Sequence, residues 1–284
     1  MILAALPRLI LEPPVRTALM EDLGLAGDIT STAVIPGDHR SKVVMAARKP
    51  GVIAGLDAAA LAFALVDPAI TVIRHIPDGA SVKPGDTIAT VEGLSRGLLT
   101  AERTALNFLG HLSGIATVTA GIVAAVAGSK ASVVCTRKTT PGLRALEKYA
   151  VRAGGGINHR FALHDAVLIK DNHVAIAGGV AEAIRRAKAG VGHMVKIEVE
   201  VDTLAQLREA MNAGVDAVLL DNMRPDQLRE AVGIVGGRAI TEASGGITPE
   251  TAAEIAATGV DLLSIGWITH SAPTLDIGLD FVSA

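Results

Sequence analysis

From about residue 133 onward, short apolar runs alternate with helical patterns at the roughly 20–30-residue spacing of βα units. Nearly every run ends in a residue that can do chemistry. VVCTRK ends in Arg137 and Lys138, AVLIKD in Lys170 and Asp171, and AVLLD in Asp221. VKIEVE carries Glu198 and Glu200, AITEASGG carries Glu242, Ser244, Gly245 and Gly246, and LLSIG ends in Gly266. Parallel strands joined by helices form open sheets or barrels, and in a barrel the reactive groups sit where the strands end and the βα loops converge. The order along this series is cations first, acids next and glycines last.

Six strands are expected, near 133–138, 166–171, 195–200, 217–221, 239–243 and 262–266. Six falls short of the eight of a closed barrel, so the expected fold is α/β with an incomplete parallel α/β barrel over residues 111–269. Residues 1–110 read as an N-terminal α+β sandwich domain. There, Val15 to Leu23 reads as a short helix and GDITST as a loop, followed by the strand SKVVMAA and a turn at Lys49-Pro50-Gly51. LDAAALAFALV reads as a helix, and ITVIRHI and DTIATVE as strands. A long helix from Thr100, a plausible N-cap, to about Ala127 links the domains. The tail 270–284 holds no helix of useful length and is expected to return to the first domain.

A net charge of −3 gives no global reason to expect nucleic acid or an anionic membrane as partner. The single cysteine, Cys135, excludes an intrachain disulfide and fits a reducing compartment; inside an apolar strand it reads as packing. The N-terminus lacks the order of a signal peptide and is interrupted by Pro7, Pro13 and Pro14. Leu112 to Ser129 carries no charge, but its Ser, Thr and Gly content fits a buried helix better than a membrane span.

Arg137 to Lys170 holds seven Lys or Arg against two acids. Arg144, Lys148 and Arg152 are spaced as one helix face and fit solvated surface as well as function. Arg137, Lys138 and Lys170 instead end strands, where an uncompensated cation is costly unless an anion visits. His159 and Arg160 follow a triple-glycine loop that permits close approach to a ligand, and arginine grips carboxylates in bidentate fashion. Several such cations imply a polyanionic substrate.

Glu200 and Asp221 end adjacent strands. They could hold Mg²⁺, accept from sugar hydroxyls, act as a general acid/base pair, or form salt bridges with Lys138 or Lys170. Glu198 shares a strand face with Glu200 by period two. Ser244-Gly245-Gly246 precedes a helix with Thr248 as N-cap and Pro249 at its first position; together with Gly266 it suggests a phosphate cradle. His111 and His173 are as fit for structure as for catalysis. No Ser–His–Asp order, CxxC, HExxH or strand-following GxGxxG is present. The pattern favours group transfer by positioning and electrostatics over a covalent nucleophile.

The run TRKTTPGLRALEKYAVRAGGGINHRFALHDAVLIKDNH, with EDLGLAGDITS, ARKPGVIAGL and ERTALNFL upstream and IEVEVDTLAQL, AVLLDNM, EASGGI and DLLSIGWITHSAPTLDIGLDF downstream, closely resembles the quinolinate phosphoribosyltransferases. The resemblance covers nearly the whole chain. It implies transfer of the phosphoribosyl group of phosphoribosyl pyrophosphate to quinolinate with decarboxylation, giving nicotinate mononucleotide, pyrophosphate and CO₂ in de novo NAD synthesis. It further implies Mg²⁺, a cytoplasmic enzyme and a homodimer, with Arg103 reaching quinolinate from the neighbouring subunit. By motif, Arg137, His159 and Arg160 would hold the two carboxylates, and Lys138 and Lys170 would contact substrate charge or pyrophosphate. Glu200 and Asp221 would bind ribose hydroxyls or the metal, and Ser244, Gly245, Gly246 and Gly266 the 5′-phosphate. The same pattern makes Lys138, Lys170, Glu200 and Asp221 the expected catalytic groups.

The rivals are a transferase acting on nicotinate, a paralogue encoded among molybdenum-transport genes, a Schiff-base aldolase using Lys170, and a non-catalytic phosphosugar-binding protein. The KDNH run and the His159-Arg160 pair resemble the quinolinate enzymes. Asp171 beside Lys170 does not suggest the apolar pocket that a Schiff-base lysine needs.

Overall fold

The structure is a computed structural model and describes residues 3–281. In chain order the first elements are α1 (Arg8–Leu23), α2 (Ile29–Val34), β1 (Arg40–Ala47), β2 (Gly51–Val52), α3 (Leu56–Val66), β3 (Thr71–Arg74), β4 (Ser81–Val82), β5 (Thr87–Leu94) and α4 (Ser95–Ala125). Next come β6 (Ser132–Val134), α5 (Arg144–Ala153), β7 (Val167–Ile169), α6 (Asp171–Ala177), α7 (Val180–Gly190), β8 (Ile197–Val201), α8 (Leu204–Ala213) and β9 (Ala217–Asp221). The last are α9 (Pro225–Val235), β10 (Ile240–Ser244), α10 (Pro249–Ala256), β11 (Leu262–Ser264), α11 (Trp267–His270) and β12 (Ile277–Phe281). Two compact units result: Met1–Ala120 with Thr139–Gly155 and Ile268–Ala284, and Gly121–Lys138 with Gly156–Trp267.

In the first unit, an antiparallel sheet has the order β12-β1-β5-β3. Alternation along β1 buries Val43, Met45 and Ala47. The tail enters this sheet as β12, with Met45 opposite Leu279. Gly110 and Gly114 make room for the strap that leads there. A β-carbon on Gly110 would lie 2.9 Å from the Leu275 carbonyl, and one on Gly114 would collide with Pro273.

Helix α4 is one unbroken helix of 31 residues that begins at Ser95, five residues before the expected Thr100 cap. Thr100 lies inside it and donates to Asp28. By composition α4 could cross a membrane, yet 56% of its most apolar window is buried. Its polar residues serve the unit's own backbone: Thr117 accepts from the Val52 N–H at 2.9 Å and Ser113 from the Ala54 N–H at 3.0 Å.

Three local expectations need correction. α1 starts at Arg8 and runs through Pro13 and Pro14. Each proline removes an internal hydrogen bond, but burial of Leu11, Val15 and Leu19 along one stripe outweighs that loss. The first unit extends past residue 110 to Ala120 and takes in 139–155. Finally, α5 is not a solvated cationic face. Glu147 and Lys148 are fully buried, with Glu147 accepting from the Thr140 N–H and lying 2.9 Å from His111.

The second unit contains a six-stranded parallel sheet in the order β6-β11-β10-β9-β8-β7. Five strands follow chain order, and the first pairs with the last, as in a barrel left open between β6 and β7. A parallel bridge from Val134 to Ile157 lies outside the named strands, so the backbone leading to His159 runs beside β6. Helices α7, α8 and α9 bury short stripes such as Leu207, Ala210 and Met211. At the amino ends of the strands, charge is neutralised in pairs: Lys196 with Asp216 at 2.6 Å and Lys130 with Asp261 at 2.8 Å.

Candidate active site

The carboxyl ends of the six strands carry most of the expected residues. Arg137 and Lys138 follow β6, Lys170 follows β7, Glu200 lies in β8, and Asp221 and Ser244 end β9 and β10. The register places Ser244 beside both Asp221 and Ser264, with Gly266 two residues beyond Ser264. Trp267 Nε1 donates to the Ile247 carbonyl at 2.9 Å, tying the Gly266 loop to the Ser244-Gly245-Gly246 loop. Thr248 and Pro249 take the expected cap and first-turn positions of α10.

Lys170 Nζ lies 3.1 Å from Glu200 Oε2. The lysine is half exposed and the carboxylate mostly buried, so the ion pair sits at the mouth of the sheet. His173 caps α6 by accepting the Lys170 N–H through Nδ1 at 2.8 Å, a structural task. Cys135 is buried and donates weakly to Asn158.

Arg160 is held from below: its backbone N–H donates to His159 Nδ1 at 2.7 Å and its Nη1 to the Ala166 carbonyl at 2.9 Å. Its Nε is buried and has no hydrogen-bond partner. Burial, and then the neighbouring Arg137 guanidinium, push Arg160 below its ordinary pKa, with Glu198 opposing. A guanidinium stays protonated under such pressure. The site therefore holds a buried donor whose charge is relieved by an incoming anion.

Beneath the mouth, His159, which the resemblance implies holds a substrate carboxylate, instead meets two glutamates inside the unit. His159 Nε2 is 3.0 Å from Glu198 Oε2 and 3.5 Å from Glu242 Oε1, with both glutamates buried. Burial, and then the Glu198 charge, push the Glu242 carboxyl up to about 7; His159 and the Ser264 hydroxyl offset this in part. The three ligand atoms lie within 4.8 Å of one another. The hydrogen bonds give this group an internal task. Nδ1 accepts the Arg160 N–H, so the ring proton sits on Nε2 and points at Glu198. Both ring nitrogens are thus engaged inside the unit, and His159 supports Arg160 from beneath. The signal was period two: Glu198 and Glu242 sit one inward-facing position before Glu200 and Ser244.

Arg103 is exposed on α4, in the first unit. It lines a cleft of about 370 Å³ with Glu21, Asp22, Asn107 and Phe108.

Parallel strands ending in cations, two carboxylates and tied glycine loops define an enzyme for a phosphorylated, polyanionic substrate. Residues 28–113 match the N-terminal domain of quinolinate phosphoribosyl transferase, and residues 115–280 match its C-terminal domain. The chain is 49% identical over 271 residues to the nicotinate-nucleotide pyrophosphorylase [carboxylating] of Mycobacterium leprae, covering 94% of this chain and 95% of that one. It is 44% identical over 261 residues to the probable enzyme of that name from Bacillus subtilis (strain 168), covering 92% and 90%. The solved NadC from Streptococcus pyogenes superposes with a TM-score of 0.94 at 41% identity, covering 99% of this chain and 100% of that one. The chain belongs to the quinolinate phosphoribosyltransferase family.

Proposed function

We propose that this chain carries out its family's reaction with the residues just described. It transfers the phosphoribosyl group of phosphoribosyl pyrophosphate to the nitrogen of quinolinate, then releases CO₂ to leave nicotinate mononucleotide. The observation that carries this reading is Arg160: a buried, unsatisfied guanidinium nitrogen under the repulsion of a second arginine, in a site that calls for a substrate with more than one negative group.

Arg137 and Arg160 hold the pyridine carboxylates and so orient the ring nitrogen toward the sugar. His159, fixed by Glu198, sets the backbone of Arg160. The N–H groups of the Ser244–Gly246 and Gly266 loops receive the 5′-phosphate. Glu200 and Asp221 face the ribose, where positive charge develops as the glycosidic bond loosens. Lys138 and Lys170 neutralise the departing pyrophosphate; Lys170 can leave Glu200 to do so. The 2-carboxylate departs because the pyridinium formed by ribosylation stabilises the electron pair left at carbon 2, which then takes up a proton.

The donor set fits Mg²⁺ arriving with its phosphates rather than a caged ion. Glu200 and Asp221 offer two carboxylates, each with one oxygen already engaged by Lys170 or Asn222. These two would hold the ion, and it would neutralise charge on the leaving group.

A homodimer completes the reading, with Arg103 supplied to the partner's site. In support, α1 and α2 leave Leu9, Met20, Ile29 and Val34 more than 60% exposed, an apolar surface suited to a second copy. A cytoplasmic location fits the single reduced cysteine.

The direct test is calorimetry with quinolinate and nicotinate on the native protein and on Arg160→Ala. Quinolinate should bind at least ~10-fold tighter than nicotinate, with the preference lost in the variant. Equal affinities in the native protein would refute the two-carboxylate pocket.

A further inference from the structure

Asn222 is the only non-glycine residue with positive φ among the described residues, at φ 53. Asparagine tolerates this region better than most side chains, but such a conformation persists only where its surroundings hold it. Three contacts do so. The Asn222 N–H donates to the Ser244 carbonyl at 2.9 Å, extending the β9–β10 ladder by one residue. Its side-chain Nδ2 donates to Asp221 Oδ2 at 2.6 Å. Its amide oxygen lies directly against Gly245, where an added β-carbon would come 2.7 Å from Asn222 Cγ and would collide with Oδ1. The amide's orientation is fixed chemically, because an ionised carboxylate accepts only and must meet the NH₂ end.

We infer that Asn222 is a positioning residue that locks the Asp221 carboxylate to the Ser244–Gly246 loop, setting the two sides of the phosphoribosyl pocket as one piece. The inference rests on the reading above that Asp221 and this loop serve phosphoribosyl pyrophosphate. It gives Gly245 a second reason to be glycine besides its own φ of 98: the amide occupies the space a side chain would need.

The test uses Asn222→Gly, which removes the amide and keeps a residue at ease with positive φ. Asn222→Asp keeps the size but sets an acceptor against Asp221. Asn222→Gly should melt close to the native protein and raise the KM for phosphoribosyl pyrophosphate about tenfold or more, with the quinolinate KM within about twofold. Asn222→Asp should be at least as impaired. Native kinetics in a folded Asn222→Gly protein would overturn the inference, as would equal rises in both KM values. Asp221→Ala separates the two levels. If it alone impairs use of phosphoribosyl pyrophosphate, the site reading stands and the Asn222 inference falls; if it impairs nothing, both fall.

Discussion

Replacing Glu242 by Gln should make the protein more stable than native at pH 8, with a much smaller gain at pH 5. The folded protein raises this carboxyl from an ordinary 4.5 to about 7, chiefly through burial and then through the Glu198 charge. Because the folded value exceeds the unfolded one, the unfolded chain binds fewer protons between those pH values. Stability contributed by this group is therefore present below about 4.5 and is lost as pH rises through about 7. The full difference is on the order of 3 kcal/mol. Glutamine does not titrate, and its NH₂ can donate to Glu198 as the protonated carboxyl does. Thermal melts of both proteins at half-unit steps from pH 5 to 8 would read the gap, which should open by about 5 °C for a chain of this length. A gap that stays constant or closes would show that Glu242 is not the protonated member of the buried group, and the proton assignment around His159 would fail with it.

Four further outcomes are expected. Arg160→Ala should lower kcat/KM for quinolinate by roughly 30–150-fold, the loss of a charge-assisted contact, in steady-state assays with phosphoribosyl pyrophosphate saturating. Gly245→Ala should cost about 1–3 kcal/mol in denaturant unfolding, since its β-carbon meets Asn222 and its φ is positive. Arg103→Ala and Lys170→Ala should each be inactive, whereas mixed and refolded together they should regain about a quarter of native activity, because half of random pairs are hybrids with one intact site. No recovery in the mixture would place Arg103 in its own subunit's site. Chelation of Mg²⁺ should stop turnover in the activity assay while leaving quinolinate binding measurable by calorimetry.

The parallel strands were legible because each is a short apolar run ending in a charge or glycine, and all six fall where that pattern puts them. The opening between β6 and β7 shows as the missing two units. The ends of helices were less legible. Proline normally breaks a helix, yet in α1 a buried stripe overrides Pro13 and Pro14, and Thr100, a fitting cap by type, lies inside a helix that has already begun. Lys148 misled most, because charge on a helix face normally means solvent and its burial is a tertiary fact. That Arg137, Lys138 and Lys170 follow strands could be read from the apolar runs before them. The layer beneath shows only as period two along β8 and β10; that Glu198 and Glu242 meet His159, which follows β6, depends on strand order in the sheet. Asn222 gave no signal in a single sequence, since a left-handed conformation after a strand is seen only in the backbone.

The most direct measurement is to incubate the purified protein with Mg²⁺, phosphoribosyl pyrophosphate and either quinolinate or nicotinate, following mononucleotide and CO₂ together. Equal amounts of nicotinate mononucleotide and CO₂ from quinolinate, with none from nicotinate, is the predicted result. Mononucleotide from nicotinate alone, or no product from either acid, would contradict the two-carboxylate site.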